Sequence, residues 1–213
     1  METQGLSLDI SEWFLYNSRH VRNLELVYKM NIFYLHKDPA TCAQQHNDKH
    51  VVKMIVEYAQ IMSTNHRLLD GEMYIAKSEN TGRNIKRWRL DGNRDNIIYK
   101  ACHMNHPSTV WARANNNNYN WLYALWVELC KEYTHRYGKI HKTDALLREL
   151  LATPPKNIPT DNLTQPTPAM KKFPQCIVEG DSLQSYRNYY HVAKAHFNVW
   201  TNRPVPDWYG VNA

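Results

Sequence analysis

The sequence predicts a mainly α protein, a compact helical domain with a short N-terminal strand or hairpin and an irregular wrapping segment. Three observations carry this. Glycine is scarce at 7 residues while tyrosine reaches 14 and tryptophan 7, a balance that suits helices packed on aromatics. Apolar residues recur at steps of three and four through residues 38–66 and 106–138, the signature of helices with one buried face. Six prolines (Pro154, Pro155, Pro159, Pro166, Pro168 and Pro174) fall within residues 153–180, which excludes a helix there and predicts an extended wrapping run.

In chain order, residues 1–29 are mildly helical and read as an N-terminal extension, or as sequence ahead of a true start at Met30. Residues 30–213 are expected to form a single helical domain. MNIFYLHKDP predicts a short strand and a turn. One long helix follows over 38–66, with Asp38 as N-cap and Pro39 in the first turn, where its missing N–H costs nothing. Ala43, Val51, Met54, Ile55, Tyr58, Ile61 and Met62 make its buried stripe, and His46, Lys49, His50, Lys53, Glu57 and Gln60 line a neighbouring cationic face. Residues 68–100 turn basic, with Arg83, Lys86, Arg87, Arg89, Arg94 and Lys100 around Tyr74 and Trp88, and predict an excursion or short hairpin. His106-Pro107 opens a helix, and Asn115 to Asn118 mark a break or capped restart. Tyr119, Leu122, Leu125, Trp126, Leu129 and Tyr133 then repeat until Gly138 stops the helix. Thr143-Asp144 is expected to cap a short helix, and Gly180-Asp181 to start a last one running through Trp200.

Composition narrows the function. A formal charge of +6 favours nucleic acid or another polyanion as partner. The cysteines, 4 in number, include no CxxC pair and read as reduced thiols of a cytosolic protein. No apolar run reaches the roughly 18 residues of a membrane span, and no signal peptide is visible. Phosphate-loop, dinucleotide-binding, GxSxG and HExxH patterns are absent, which removes several enzyme classes. His46 and His50, with His103 or His106 added, have metal-ligand spacing, but Lys49 beside them repels a cation, so no metal is expected.

Lys49, Lys53 and Glu57 share one helical face. Neighbouring cations push a lysine towards its neutral, nucleophilic form, and a carboxylate can shuttle the proton. Amine plus carboxylate is the equipment for Schiff-base chemistry at a sugar C1′. The same spacing also suits an ordinary helix-stabilising ion pair, and spacing alone leaves both readings open. The basic-aromatic run from Arg83 to Lys100 suits phosphate contacts with base stacking, or a solvated loop with one aromatic tucked inward.

From Met30 onward, MNIFYL, DKHVVKMIVEYAQIM and NHPSTVWARANNNNYNWLYALWVELCKEY resemble the pyrimidine-dimer DNA glycosylase (endonuclease V type) family, most closely its phage-borne and bacterial relatives. Lys49, Lys53, Val56-Glu57 and Gln60 carry the first motif, and Asn105-His106-Pro107 with Trp111 the second. The resemblance implies a compact, mainly helical enzyme that excises a cross-linked pyrimidine from duplex DNA through an imine at C1′. It makes Glu57 the match for the essential carboxylate and puts Lys49, Lys53 and His106 near the phosphate or the abasic sugar. His46, His50, Arg83, Lys86, Arg87, Trp88, Arg89, Arg94 and Asn105 are the expected DNA contacts. No cofactor is implied, a monomer is expected, and the location is the cytoplasm, that of the host cell if phage-encoded. Two positions depart from the pattern. The family nucleophile is an N-terminal α-amine, whereas 29 residues precede Met30, so Lys49 or Lys53 would have to replace it. The arginine that precedes the family glutamate is Val56. A transferase acting on thymine in phage DNA, and a DNA-binding protein without catalysis, are the competing readings.

Overall fold

A computed structural model describes residues 30–210. The N-terminal extension expected over residues 1–29 lies outside the described residues. The fold is mainly α, with helices α1 (Pro39–Gln45), α2 (Asp48–Asp70), α3 (Arg94–Ile97), α4 (Pro107–Ala114), α5 (Asn116–Tyr137), α6 (Lys142–Leu151), α7 (Ser182–Tyr189) and α8 (Asp207–Gly210). Two strands, β1 (Glu72–Lys77) and β2 (Asn84–Arg89), form an antiparallel hairpin that pairs Met73 with Trp88 and Ile75 with Lys86.

The stretch from Met30 to Leu35 is not the strand its apolar residues suggest; among the described residues only β1 and β2 pair as strands. It is buried in the core, where other groups meet its backbone. Phe33 N–H donates to the Tyr58 hydroxyl at 3.1 Å, Ser108 Oγ to the Met30 carbonyl at 3.3 Å, and Arg187 Nη2 to the Leu35 carbonyl at 3.0 Å. Side chains thus do the work of a neighbouring strand.

The single helix expected over 38–66 is two. Asp38 caps α1, accepting from Thr41 N–H at 2.8 Å, but the chain turns extended at His46. Asn47 then caps α2, its Oδ1 accepting from His50 N–H at 2.9 Å. The break is held from outside, because Asp48 N–H donates to the Val199 carbonyl and Asn47 Nδ2 to Asn198 Oδ1. Beyond it α2 runs past His66 to Asp70 and packs against α4, α5 and α6. Its stripe of Val51, Met54, Ile55, Tyr58, Ile61 and Met62 meets Tyr119, Leu122, Leu125, Trp126 and Leu129 of α5 in one core cluster.

Asn115 caps α5 as the asparagine run suggests, and Gly138 ends it in the left-handed region at φ 64°. The run also anchors the proline-rich segment. Asn116 N–H donates to the Pro159 carbonyl, Asn115 Nδ2 to that of Asn162, and Thr164 N–H to Asn118 Oδ1. The cap of α6 is His141, two residues before the expected Thr143, with Nδ1 accepting from Thr143 N–H. Asp144 pairs instead with Arg148 at 2.7 Å.

The last helix does not continue to Trp200. After α7 it widens into a π-helical turn (Tyr190–Lys194), then tightens into a 3-10 turn (Ala195–Phe197). The Tyr190 carbonyl accepts from Asn198 Nδ2 at 3.0 Å, and the Tyr190 hydroxyl meets His50 Nδ1 at 2.6 Å. These bonds fix the turn against α2.

At the far end of α2, buried Arg67 donates to the carbonyls of Trp88, Asp95, Ile98 and Tyr99 and to the Asp95 carboxylate at 2.6 Å. It pins hairpin, α3 and helix end together. Gly71 sits in the same junction, where a Cβ would come within 2.5 Å of the Arg67 carbonyl and 3.0 Å of the Arg89 carbonyl. Both obstacles are backbone. Gly71→Ala is therefore expected to destabilise by roughly 1–3 kcal/mol, as overpacking does, read from the urea midpoint. An unchanged midpoint would show that the hairpin is free to move aside.

Candidate active site

Three of the expected residues form one row on α2. Lys49 is exposed, the Lys53 side chain is 47 % exposed and that of Glu57 only 8 %. The Lys53 ammonium lies 2.8 Å from Glu57 Oε1, the ordinary spacing-of-four ion pair. The other oxygen is unusual: Glu57 Oε2 is buried without a hydrogen-bond partner among the described residues. Burial raises the Glu57 carboxyl above the usual carboxylate range, although the charges of Lys53 and Lys194 pull it back down. A carboxyl in this condition holds its proton more readily than a surface one and has an acceptor to spare.

Lys194 and Phe197 complete the surroundings. Lys49 Nζ lies 4.6 Å from the centre of the Phe197 ring, and Lys194 Nζ lies 5.6 Å from that ring and 4.9 Å from that of Tyr189. On the other side, a loop after α3 crosses α2. Thr64 Oγ1 bonds both the carbonyl and the N–H of Cys102 at 3.2 Å, and Glu57 acts on the Cys102 thiol, which burial and this charge push up. His103 then takes a positive φ of 46°, which turns the chain into Asn105 and His106. Asn105 is exposed. His106 caps α4 through Nδ1 to Ser108 N–H at 3.3 Å, and burial lowers its pKa.

His46 and His50 are corrections. Both were expected on the cationic face as DNA contacts, and both are buried, at 0 % and 4 %. His46 Nδ1 meets the Cys42 carbonyl at 2.7 Å and Nε2 the Tyr58 hydroxyl at 3.3 Å. His50 stacks on Phe33 with ring centres 4.0 Å apart. Burial pushes His46 down to about 4 and His50 well below its ordinary value of 6.5. Both rings belong to the core and not to the cationic face.

Arg94 is corrected as well. Its guanidinium turns inward to His66 Nδ1 at 2.8 Å, and burial together with this charge pushes His66 down to about 4. The other basic-aromatic residues lie on the hairpin: Arg83, Lys86 and Arg89 are exposed, Arg87 and Trp88 half-buried, and Arg89 stacks on Tyr74 at 5.0 Å. The hairpin follows the end of α2, thirteen residues or roughly 20 Å along the axis from Glu57.

The buried histidines set an acid limit. Each is neutral when folded and titrates near 6.5 when unfolded, so unfolded chains bind more protons as pH falls from 6.5 towards 4. Stability is whole above this window and is lost downwards through it. The raised Glu57 acts in the opposite sense, but three histidines outnumber it. Between pH 7.5 and 5, His46 and His66 are expected to remove roughly 2 kcal/mol each, seen as a lower urea midpoint. A midpoint equal or higher at pH 5 would contradict their neutral, buried state.

Sequence reading did not place Lys194, Phe197 or Cys102 near this face of α2. A lysine and an aromatic three apart in AKAHFNVW was the available signal for the first two. Among the described residues there is no group of three or more His, Cys, Asp or Glu placed to hold a metal ion, and no helix long and apolar enough to cross a membrane.

The helical scaffold thus holds a buried carboxyl, Glu57, with one oxygen on the Lys53 ammonium and the other without a hydrogen-bond partner among the described residues. The family model for pyrimidine dimer DNA glycosylase matches residues 30–146, more than half of the chain, and the chain belongs to that family. No curated protein and no solved structure matches it. The matched stretch holds Lys49, Lys53, Glu57, Asn105, His106 and the hairpin, and leaves Lys194 and Phe197 outside.

Proposed function

We propose that this protein is a DNA glycosylase and abasic-site lyase acting on a flipped pyrimidine in duplex DNA, by imine chemistry supported by Glu57. The observation that carries the reading is Glu57 itself, buried, raised by burial, with one oxygen on an ammonium and the other unpartnered. Such a group accepts a proton from an attacking amine, returns it to the departing base, and as carboxylate stabilises the cation that develops at C1′. Lys49 and Lys53 supply cations for the phosphates beside the flipped nucleotide, and Asn105 and His106 approach it from the loop that carries Cys102. Arg83, Lys86, Arg87 and Arg89, with Trp88, hold the duplex at a distance, where the hairpin's exposed basic side chains suit backbone contact.

Borohydride trapping tests this. The full chain, incubated with duplex carrying a thymine dimer or an abasic site, is expected to yield a covalent protein–DNA complex in the presence of borohydride and none without it. DNA bound tightly but never trapped, on either substrate, would reject the lyase and leave base modification or binding alone.

A further inference from the structure

We infer that the β1–β2 hairpin is a wedge that presses Met73 and Ile75 into the base stack of duplex DNA and kinks it, an inference that rests on the DNA-acting reading above and adds a contact with the bases. Side chains of directly paired residues lie on one face of an antiparallel ribbon. The pairs Met73–Trp88, Ile75–Lys86 and Lys77–Asn84 therefore share a face, and that face is open. Met73 is 50 % exposed and Ile75 56 %, Lys77 and Lys86 are exposed, and Trp88 is half-buried. The opposite face is the sheltered one, where Tyr74, Ala76, Ile85 and Arg87 are half-buried and Arg89 stacks on Tyr74. No apolar side chain of residues 72–89 is among those that form the core cluster or pack against it.

A ribbon of two strands is marginal in water by itself, but this one is braced at both ends. At its base the Trp88 carbonyl accepts from buried Arg67, and Gly71 leaves no room for movement towards the Arg89 carbonyl. At its tip Ser78 N–H donates to the Arg83 carbonyl and Gly82 N–H to the Ser78 carbonyl, both at 2.8 Å, with Gly82 in the left-handed region at φ 65°. A braced projection that shows two neighbouring large apolar side chains to water, with cations around them, has the character of a contact surface. Charge selects the partner. Lys77, Arg83, Lys86, Arg87 and Arg89 outnumber Glu72 and Glu79, which favours a polyanion. A two-stranded ribbon fits a DNA groove, and isoleucine and methionine are among the side chains that proteins press between base steps. Ile75 stands directly opposite Lys86, so the apolar wedge and a phosphate-binding cation act side by side. Opening a step costs least where stacking is already broken, so a wedge also makes the protein prefer duplex with a distorted step.

The test compares the full chain with Met73→Thr/Ile75→Thr. Threonine suits a strand, and both positions are about half exposed, so the urea midpoint should match that of the parent. Bending is read by energy transfer between the ends of a duplex, and unstacking by 2-aminopurine walked along it. The parent is expected to bend the duplex, to brighten 2-aminopurine at one step, and to bind a duplex with a single mismatch at least about tenfold more tightly than its paired form. The double variant should lose all three and keep the salt dependence of the parent on paired duplex. Lys86→Ala should do the reverse, with a salt slope shallower by about one charge and the mismatch preference retained. Bending and preference unchanged in the double variant would overturn the wedge. So would a loss confined to binding of anionic vesicles or to self-association, which would give this face to a lipid surface or a second copy. Borohydride trapping on the same proteins keeps the two readings apart. Bending by the parent without trapping removes the lyase and leaves the wedge, whereas trapping with bending indifferent to the double variant removes the wedge and leaves the lyase. A parent that binds no duplex removes both.

Discussion

Glu57→Gln is expected to lower the rate of borohydride-trappable complex formation by about 10²- to 10⁴-fold, the range for loss of a positioned proton-transfer group. It should do so without unfolding anything. Glutamine keeps the shape of the side chain, and Lys53, nearly half exposed, returns to solvent at a cost below about 1 kcal/mol. Burial raises the Glu57 carboxyl, so a folded molecule near neutrality bears the cost of a poorly solvated charge that the unfolded chain does not. That cost grows as pH rises above the ordinary carboxylate value, so removing the charge leaves stability unchanged or slightly improved at pH 7. Trapping rate and thermal midpoint measured on the same preparation therefore separate the two roles. Full trapping by the variant would remove Glu57 from the reaction, and a large fall in the midpoint would make it a structural group.

Arg67→Leu is expected to be the most destabilising single change, by roughly 3–5 kcal/mol, as when one partner of a buried ion pair is removed. Leucine fills much of the volume but donates nothing. Carbonyls of Trp88, Asp95, Ile98 and Tyr99 lose their donor together, and the Asp95 carboxylate, held below its ordinary range chiefly by Arg67, loses its main support. The damage should centre on the hairpin and α3. Urea unfolding gives the magnitude, and hydrogen exchange should show β1, β2 and residues 94–99 losing protection first. A loss under 1 kcal/mol would mean that water replaces the guanidinium at every carbonyl.

What the sequence disclosed and what it hid divide along a physical line. Local signals were readable: Pro39 after a capping aspartate, the asparagine restart at Asn115, the left-handed stop at Gly138, and the alternation of basic and aromatic residues that became the hairpin. Lys53 with Glu57 was legible too, because both sit on one helix. Asn47 was not, since the residues after it keep the helical period, and only partners at Asn198 and Val199 make the break stable. His46 and His50 looked like surface residues because nothing nearby shows that Tyr58 and Tyr190 satisfy their ring nitrogens. Lys194 was hidden for the same reason. Its place against Tyr189 and Phe197, with its charge acting on Glu57 of α2, is encoded by no local pattern.

The far-separated bonds that fasten the C-terminal region to α1 and α2 also set the order in which the molecule can be built. Asn47 to Asn198, Leu35 to Arg187 and Gln45 to Trp200 join positions 151, 152 and 155 residues apart. Closing loops of that size gives no contact energy until the ends meet, so this docking is expected to be the slow step of folding. On the ribosome, all of the family-matched stretch is synthesised before Tyr190, Lys194 and Phe197 emerge. A nascent chain can therefore assemble its helical core and hairpin before the partners of Leu35, Gln45 and Asn47 exist, and the α1–α2 break is secured only once that late segment has docked.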